Sequence, residues 1–120
     1  MAGLIAAGRT AAANAFEIIK TEAQWKAILS EEQFLVLRKN ETEQPNSSPL
    51  LAEKRAGLYH CAGCDLAVYA SQAKYDSGTG WPSFIDSLPN AIGTEEHDTF
   101  FTTRTEVHCK RCGGHFGHIF

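Results

Sequence analysis

The chain has 120 residues, 43% of them hydrophobic, seven Phe and a formal net charge of −3. That composition excludes a disordered chain and leaves room for one packed domain with a modest core. The mild acidity removes the electrostatic case for binding nucleic acid or a membrane surface, and no run is long and apolar enough to span a bilayer.

Residues 1–17 read as a flexible Ala-rich segment. Ala13-Asn14-Ala15 before Phe16 matches the small-x-small pattern of a signal-peptidase site, although no basic region precedes the apolar run. Two readings stand: the remnant of a secretory leader, which points to the periplasm or cell envelope, and a tail without function. Thr21-Glu22-Ala23-Gln24 and Ser30-Glu31-Glu32-Gln33 each form a capping box and predict two short helices. Trp25, Ile28 and Leu29 share a face of the first, and Phe34 and Leu37 of the second. Leu29 and Phe34 flank Ser30 as a hydrophobic staple. Glu41 to Pro49, with its prolines, serines and Asn, is a looped connection, and Leu50 to Arg55 is too short to classify.

The remainder predicts β structure. Leu58 to Cys61 and Ala67 to Ala70 flank a turn. Tyr75 to Phe84 is Gly-rich and aromatic, which suits a loop that shapes a site. Phe100 to Cys109, rich in Thr, Phe and Val, predicts a strand.

All four cysteines fall in two Cys-x-x-Cys pairs, Cys61/Cys64 and Cys109/Cys112. Two intervening residues let one turn aim both sulfurs at the same ion, and two such turns complete a tetrahedral thiolate cage. Zinc in a closed structural site is the expected occupant. A disulfide framework is the competing reading, but a bridge across two residues is redox chemistry rather than stapling. Gly113 and Asp65, each directly after a pair, suit positive φ. His60, His108, Lys110 and Arg111 beside the pairs either offset the negative charge of a four-thiolate centre or are solvated loop charges.

His115 and His118 follow the second pair within a glycine-rich run. Three readings are open: extra metal ligands, which a closed four-thiolate site argues against; ordinary histidines; and donors or proton carriers in a cleft braced by the metal. Trp81, presented on the glycine loop, is either a wall of that cleft or a plain core aromatic.

Cys61-Ala62-Gly63-Cys64, Lys74-Tyr75-Asp76-Ser77-Gly78-Thr79-Gly80-Trp81-Pro82-Ser83-Phe84 and Cys109-Lys110-Arg111-Cys112-Gly113-Gly114-His115-Phe116-Gly117-His118-Ile119-Phe120 strongly resemble the B-type peptide-methionine (R)-S-oxide reductases. Thr21 to Arg38 and Pro49-Leu50-Leu51 extend the resemblance, so that it covers residues 18–120. It implies a mainly β fold of two antiparallel sheets with short N-terminal helices, braced by structural zinc on Cys61, Cys64, Cys109 and Cys112. It also implies reduction of methionine R-sulfoxide, free or in proteins, with a thioredoxin-type reductant. By the same resemblance Trp81 packs against the substrate methyl group, and His115 and His118 orient or polarise the sulfoxide oxygen.

The sequence departs from the family's pattern at the nucleophile. The family's attacking cysteine, with an Arg and an Asn nearby, lies on a strand beyond the point matching Phe120. Thr79 stands where many relatives carry a resolving cysteine. The expectation is therefore a domain over 18–120 that lacks its C-terminal strand and is inactive as written. The alternative is a zinc-stabilised, non-catalytic binding module.

Overall fold

Two hydroxyl side chains set the helical part of the fold. In the computed structural model, which describes residues 16–119, α1 (Glu22–Ile28) begins at Thr21. Its Oγ1 accepts from the Gln24 N–H at 3.2 Å, while the Thr21 N–H donates to Gln24 Oε1 at 2.8 Å. Ser30 and Gln33 repeat this exchange at the start of α2 (Glu31–Lys39). Each reciprocal box satisfies two backbone donors that a helix start otherwise leaves unpaired. Asn40, at φ 58°, ends α2 in the left-handed conformation that Asn tolerates. The leader-like residues 1–15 lie outside the described residues.

Among the described residues all seven strands pair antiparallel, and the mainly β reading holds. They form three small sheets, where two were expected. β1 (Leu58–His60) pairs with β2 (Ala67–Ala70), and β3 (Lys74–Tyr75) with β4 (Ser83–Phe84). A 3-10 turn at Ser71–Ala73 redirects the chain after β2, so β3 starts a separate pairing. The third sheet runs in the order β5 (Ile92–Asp98), β6 (Thr103–Cys109), β7 (His115–Ile119). Phe100 and Phe101, expected within a strand, instead sit on the turn between β5 and β6, where both are over nine-tenths exposed. Thr99 closes that turn, its N–H donating to the Thr102 carbonyl at 2.7 Å and its Oγ1 accepting from the Thr102 N–H at 3.0 Å.

The core lies where the helices meet the cysteine turns. Trp25, Leu29, Phe34 and Leu37 from α1, α2 and their junction pack with Val68, Ala91, Cys61, Cys109 and Cys112. Leu29 and Phe34 are both buried beside Ser30, as the staple requires. Among the described residues no helix is long and apolar enough to cross a membrane.

Candidate metal centre and adjoining trough

The two cysteine pairs fold into the same local turn. The Cys61 N–H donates to the Leu66 carbonyl, and the Cys61 carbonyl accepts from the Asp65 N–H, each at 2.8 Å. In the second turn the Cys109 N–H donates to the Gly114 carbonyl at 2.8 Å, and the Cys109 carbonyl accepts from the Gly113 N–H at 2.9 Å. Each turn needs one left-handed residue directly after its second cysteine, and Asp65 (φ 66°) and Gly113 (φ 78°) supply it.

These turns bring all four sulfurs within 4.8 Å of one another. Across the pairs, Cys61 and Cys112 sulfurs are 3.7 Å apart, and those of Cys64 and Cys109 are 3.5 Å apart. A tetrahedron with metal–sulfur bonds of about 2.3 Å has edges of about 3.8 Å, so the donor set fits a four-thiolate ion. Burial pushes the Cys64 thiol up to about 12. Hydrogen bonds among the crowded sulfurs push Cys112 up and pull Cys109 down. Thiols packed this closely share protons poorly, and a soft cation that replaces those protons removes the conflict.

Cys61 also borders an open trough of about 710 Å³. Its apolar floor is aromatic: Tyr69 stacks on Phe84 with centroids 4.2 Å apart, and Phe116 tilts against Tyr69. Trp81, His115 and His118 all line it. Trp81 is held by its backbone neighbours and its own ring. The indole N–H donates to the Glu43 carbonyl at 2.9 Å, and the Asn46 N–H donates to the Gly80 carbonyl at 2.7 Å. Gly80, at φ 91°, sits so close to Pro45 that a Cβ would lie 2.9 Å from the proline Cβ. Ser77, Thr79 and Ser83 tie the loop's base together through their hydroxyls.

β6 fixes both histidines of β7 from behind. Glu106 is buried, and its Oε2 lies 2.7 Å from His115 Nδ1, with Oε1 at 3.4 Å from His108 Nδ1. The ionised carboxylate only accepts, so His115 Nδ1 carries the hydrogen and Nε2 is left for a ligand. The constraint on His118 is opposite. Arg104 Nη2 lies 3.2 Å from His118 Nδ1, and a guanidinium only donates, so this nitrogen accepts and the proton of neutral His118 sits on Nε2. Burial, then the Arg104 charge and then His115 hold His118 below the ordinary histidine range.

A family profile described as SelR domain matches residues 29–120. The chain is 46% identical over 106 residues to "Peptide methionine sulfoxide reductase MsrB" of Leifsonia xyli, covering 88% of this chain and 76% of that protein. It is 44% identical to a protein of the same name in Methanosarcina mazei, over 87% and 75% of the two chains. Arabidopsis thaliana "Peptide methionine sulfoxide reductase B5" is 43% identical over 91% of this chain and 77% of its own length. The chain belongs to the MsrB family.

The four cysteines expected as ligands lie together in the cluster, and Trp81, His115 and His118 all border the trough; Glu106 and Arg104, which contact the histidines, carry no signal of that in the sequence. Glu106 and Arg104 lie two apart on β6 and so share one face of the strand, Glu106 buried and Arg104 exposed, but which strand lies alongside that face is not written in the local sequence. In this MsrB chain β6 and β7 are in register at Glu106↔His118 and His108↔His115, a pairing that no local pattern announces. Of the four charged groups beside the cysteines, Arg111 reaches the other turn, donating to the Cys64 carbonyl at 3.3 Å. His60 instead bonds its own turn, at the Asp65 carbonyl.

Proposed function

We propose that this chain binds methionine R-sulfoxide, free or within a protein, in the trough beside a structural zinc centre, as part of a methionine sulfoxide reductase chemistry. The carrying observation is the pair of histidines with different, fixed proton arrangements facing an aromatic floor. Reducing a sulfoxide breaks the S–O bond, consumes two electrons and two protons, and releases the oxygen as water. His118, neutral with its hydrogen on Nε2, donates to the sulfoxide oxygen. His115, with Glu106 at its back, handles the proton that the oxygen must gain. Trp81 packs on the methyl group, and this apolar contact on one side with donors on the other distinguishes the two sulfoxide epimers. Zinc on Cys61, Cys64, Cys109 and Cys112 supplies a crosslink between the two turns and no step of the reaction.

The electrons are a separate matter. All four thiols of these 120 residues belong to the cluster, so none of them is free to attack sulfur, and a thioredoxin-type dithiol alone lacks the enzyme thiolate it would regenerate. The 120-residue chain therefore binds the R-sulfoxide without turning it over.

Titration of the zinc-loaded protein with N-acetyl-methionine amide R-sulfoxide, followed by NMR, tests both halves. The Trp81 indole and the His115 and His118 ring signals shift with the R epimer and much less with the S epimer, and mass spectrometry finds no sulfide after incubation with dithiothreitol. Equal response to both epimers refutes the trough assignment. Sulfide formation refutes the assignment of all four cysteines to the metal.

A further inference from the structure

The sulfurs meet at the cluster, but the two turns that carry them are joined from behind by arginines. Arg38, on α2, donates from Nη1 to the Cys112 carbonyl at 2.9 Å. Its guanidinium also lies 4.4 Å from the ring centroid of Trp25, which is only 2% exposed. The edge of that ring presses on Gly63 in the other turn, where a Cβ would come within 3.1 Å of Trp25 Cζ3. Arg38 and Trp25 thus span both turns. Arg111 makes the reciprocal connection: it belongs to the second turn and donates to the Cys64 carbonyl of the first at 3.3 Å. In both cases the acceptor is the carbonyl of the second cysteine in a pair.

This symmetry has a chemical rationale. A divalent ion with four thiolates carries a net charge of −2, and partners outside the ligand set orient the ligands and tune the centre. Arginine suits that position because it is always charged, is weakly hydrated and stacks on aromatic faces. A bond to a ligand's own carbonyl fixes the backbone from which its sulfur projects.

We propose that Arg38 and Arg111 are positioning residues of the metal centre, holding Cys112 and Cys64 in ligating geometry and setting how tightly the cluster retains zinc. This rests on the reading of the cluster as a zinc site. Competition with a chromogenic zinc chelator, on the whole 120-residue chain, gives the affinity. Cobalt(II) substitution gives the ligand geometry through its sulfur-to-metal charge-transfer bands, a signature that loss of packing elsewhere does not move. Arg38→Met and Arg111→Met each weaken zinc binding by about 10- to 100-fold and alter the cobalt bands, and Arg38→Lys recovers part of the affinity. Arg55→Met, at an exposed arginine paired with Glu53, leaves both unchanged. Arg111 reaches the cluster without contributing to α2, so its variant decides the matter if Arg38→Met does not fold. Wild-type affinity and an unchanged cobalt spectrum in Arg111→Met overturn the proposal. A wild-type chain that takes up no zinc overturns the zinc reading, and this inference with it.

Discussion

Replacing Glu106 by Ala removes the one carboxylate that His115 and His108 share. The structure sets the size of the effect. Glu106 is 6% exposed and His115 5%, so water does not replace the lost acceptor. The 2.7 Å contact is a charge-assisted bond worth about 1.5–3 kcal/mol, and its loss leaves a buried N–H unsatisfied. The contact to His108 at 3.4 Å adds little. Loss of one buried methylene adds about 0.8 kcal/mol, for a total of about 3 kcal/mol. Glu106→Gln keeps an acceptor in the same place and costs about 1 kcal/mol. Urea unfolding of the zinc-loaded protein measures both. With a slope of about 1.5 kcal/mol/M, the Ala variant loses about 2 M in its midpoint and the Gln variant less than 1 M. The Ala change made in a His115→Phe background costs much less than it does alone, because no orphaned donor remains. Equal costs in the two backgrounds, or an Ala variant within about 0.5 kcal/mol of wild type, would refute the claim that the pair is a buried, mutually dependent unit.

Two further outcomes follow from the trough. His118 is held below the ordinary histidine range, so the folded chain binds fewer protons there than the unfolded one. Its contribution to stability is complete above about pH 6.5 and is lost as pH falls through that value toward the folded pKa. The His118 ring-proton titration by NMR has its midpoint below 6.5, and Arg104→Met raises it; a midpoint unmoved by that substitution counts against the Arg104 contact. On the Trp81 loop, Gly78→Ala meets no atom within 4 Å and costs only the strain of φ 75°, about 1–2 kcal/mol, whereas Gly80→Ala adds a collision with Pro45. Thermal unfolding ranks Gly80→Ala as the worse variant, with altered Trp81 fluorescence, and equal costs contradict the close approach.

What the sequence revealed was whatever a few neighbouring residues determine. The capping boxes at Thr21 and Ser30 and the left-handed positions at Asp65 and Gly113 are local, and all four were legible. β5 was not read as a strand, because Glu95-Glu96-His97-Asp98 is polar throughout and the strand is exposed at all four positions, so no alternation marks it. β7 was hidden by Gly117 and by the short spacing of its histidines. Phe100 and Phe101 misled in the other direction: aromatic residues favour strands, but Thr99 and Thr102 bond each other and turn the chain there. The site followed the same division. Cysteine spacing by itself announces a four-sulfur cluster able to hold a metal, whereas the hydrogen-bond partners of His115 and His118, Glu106 and Arg104, lie across a sheet register.

An ion on the cluster also makes a closed ring of the chain. With an ion bound by all four sulfurs, the segment from Cys64 to Cys109 is a covalent-like loop, and the Phe100–Phe101 tip carries the most exposed large apolar side chains on it, a ready target for a protease. A single cut there leaves two fragments that still travel as one particle, joined through the metal and the β5–β6 ladder. Only after chelation and denaturation together do they part. Where the unfolded chain keeps the ion on all four sulfurs, the loop-entropy relation for a crosslink makes closing a ring of this length disfavour that chain by about 4 kcal/mol, and a nick at the tip gives up that share of the stability.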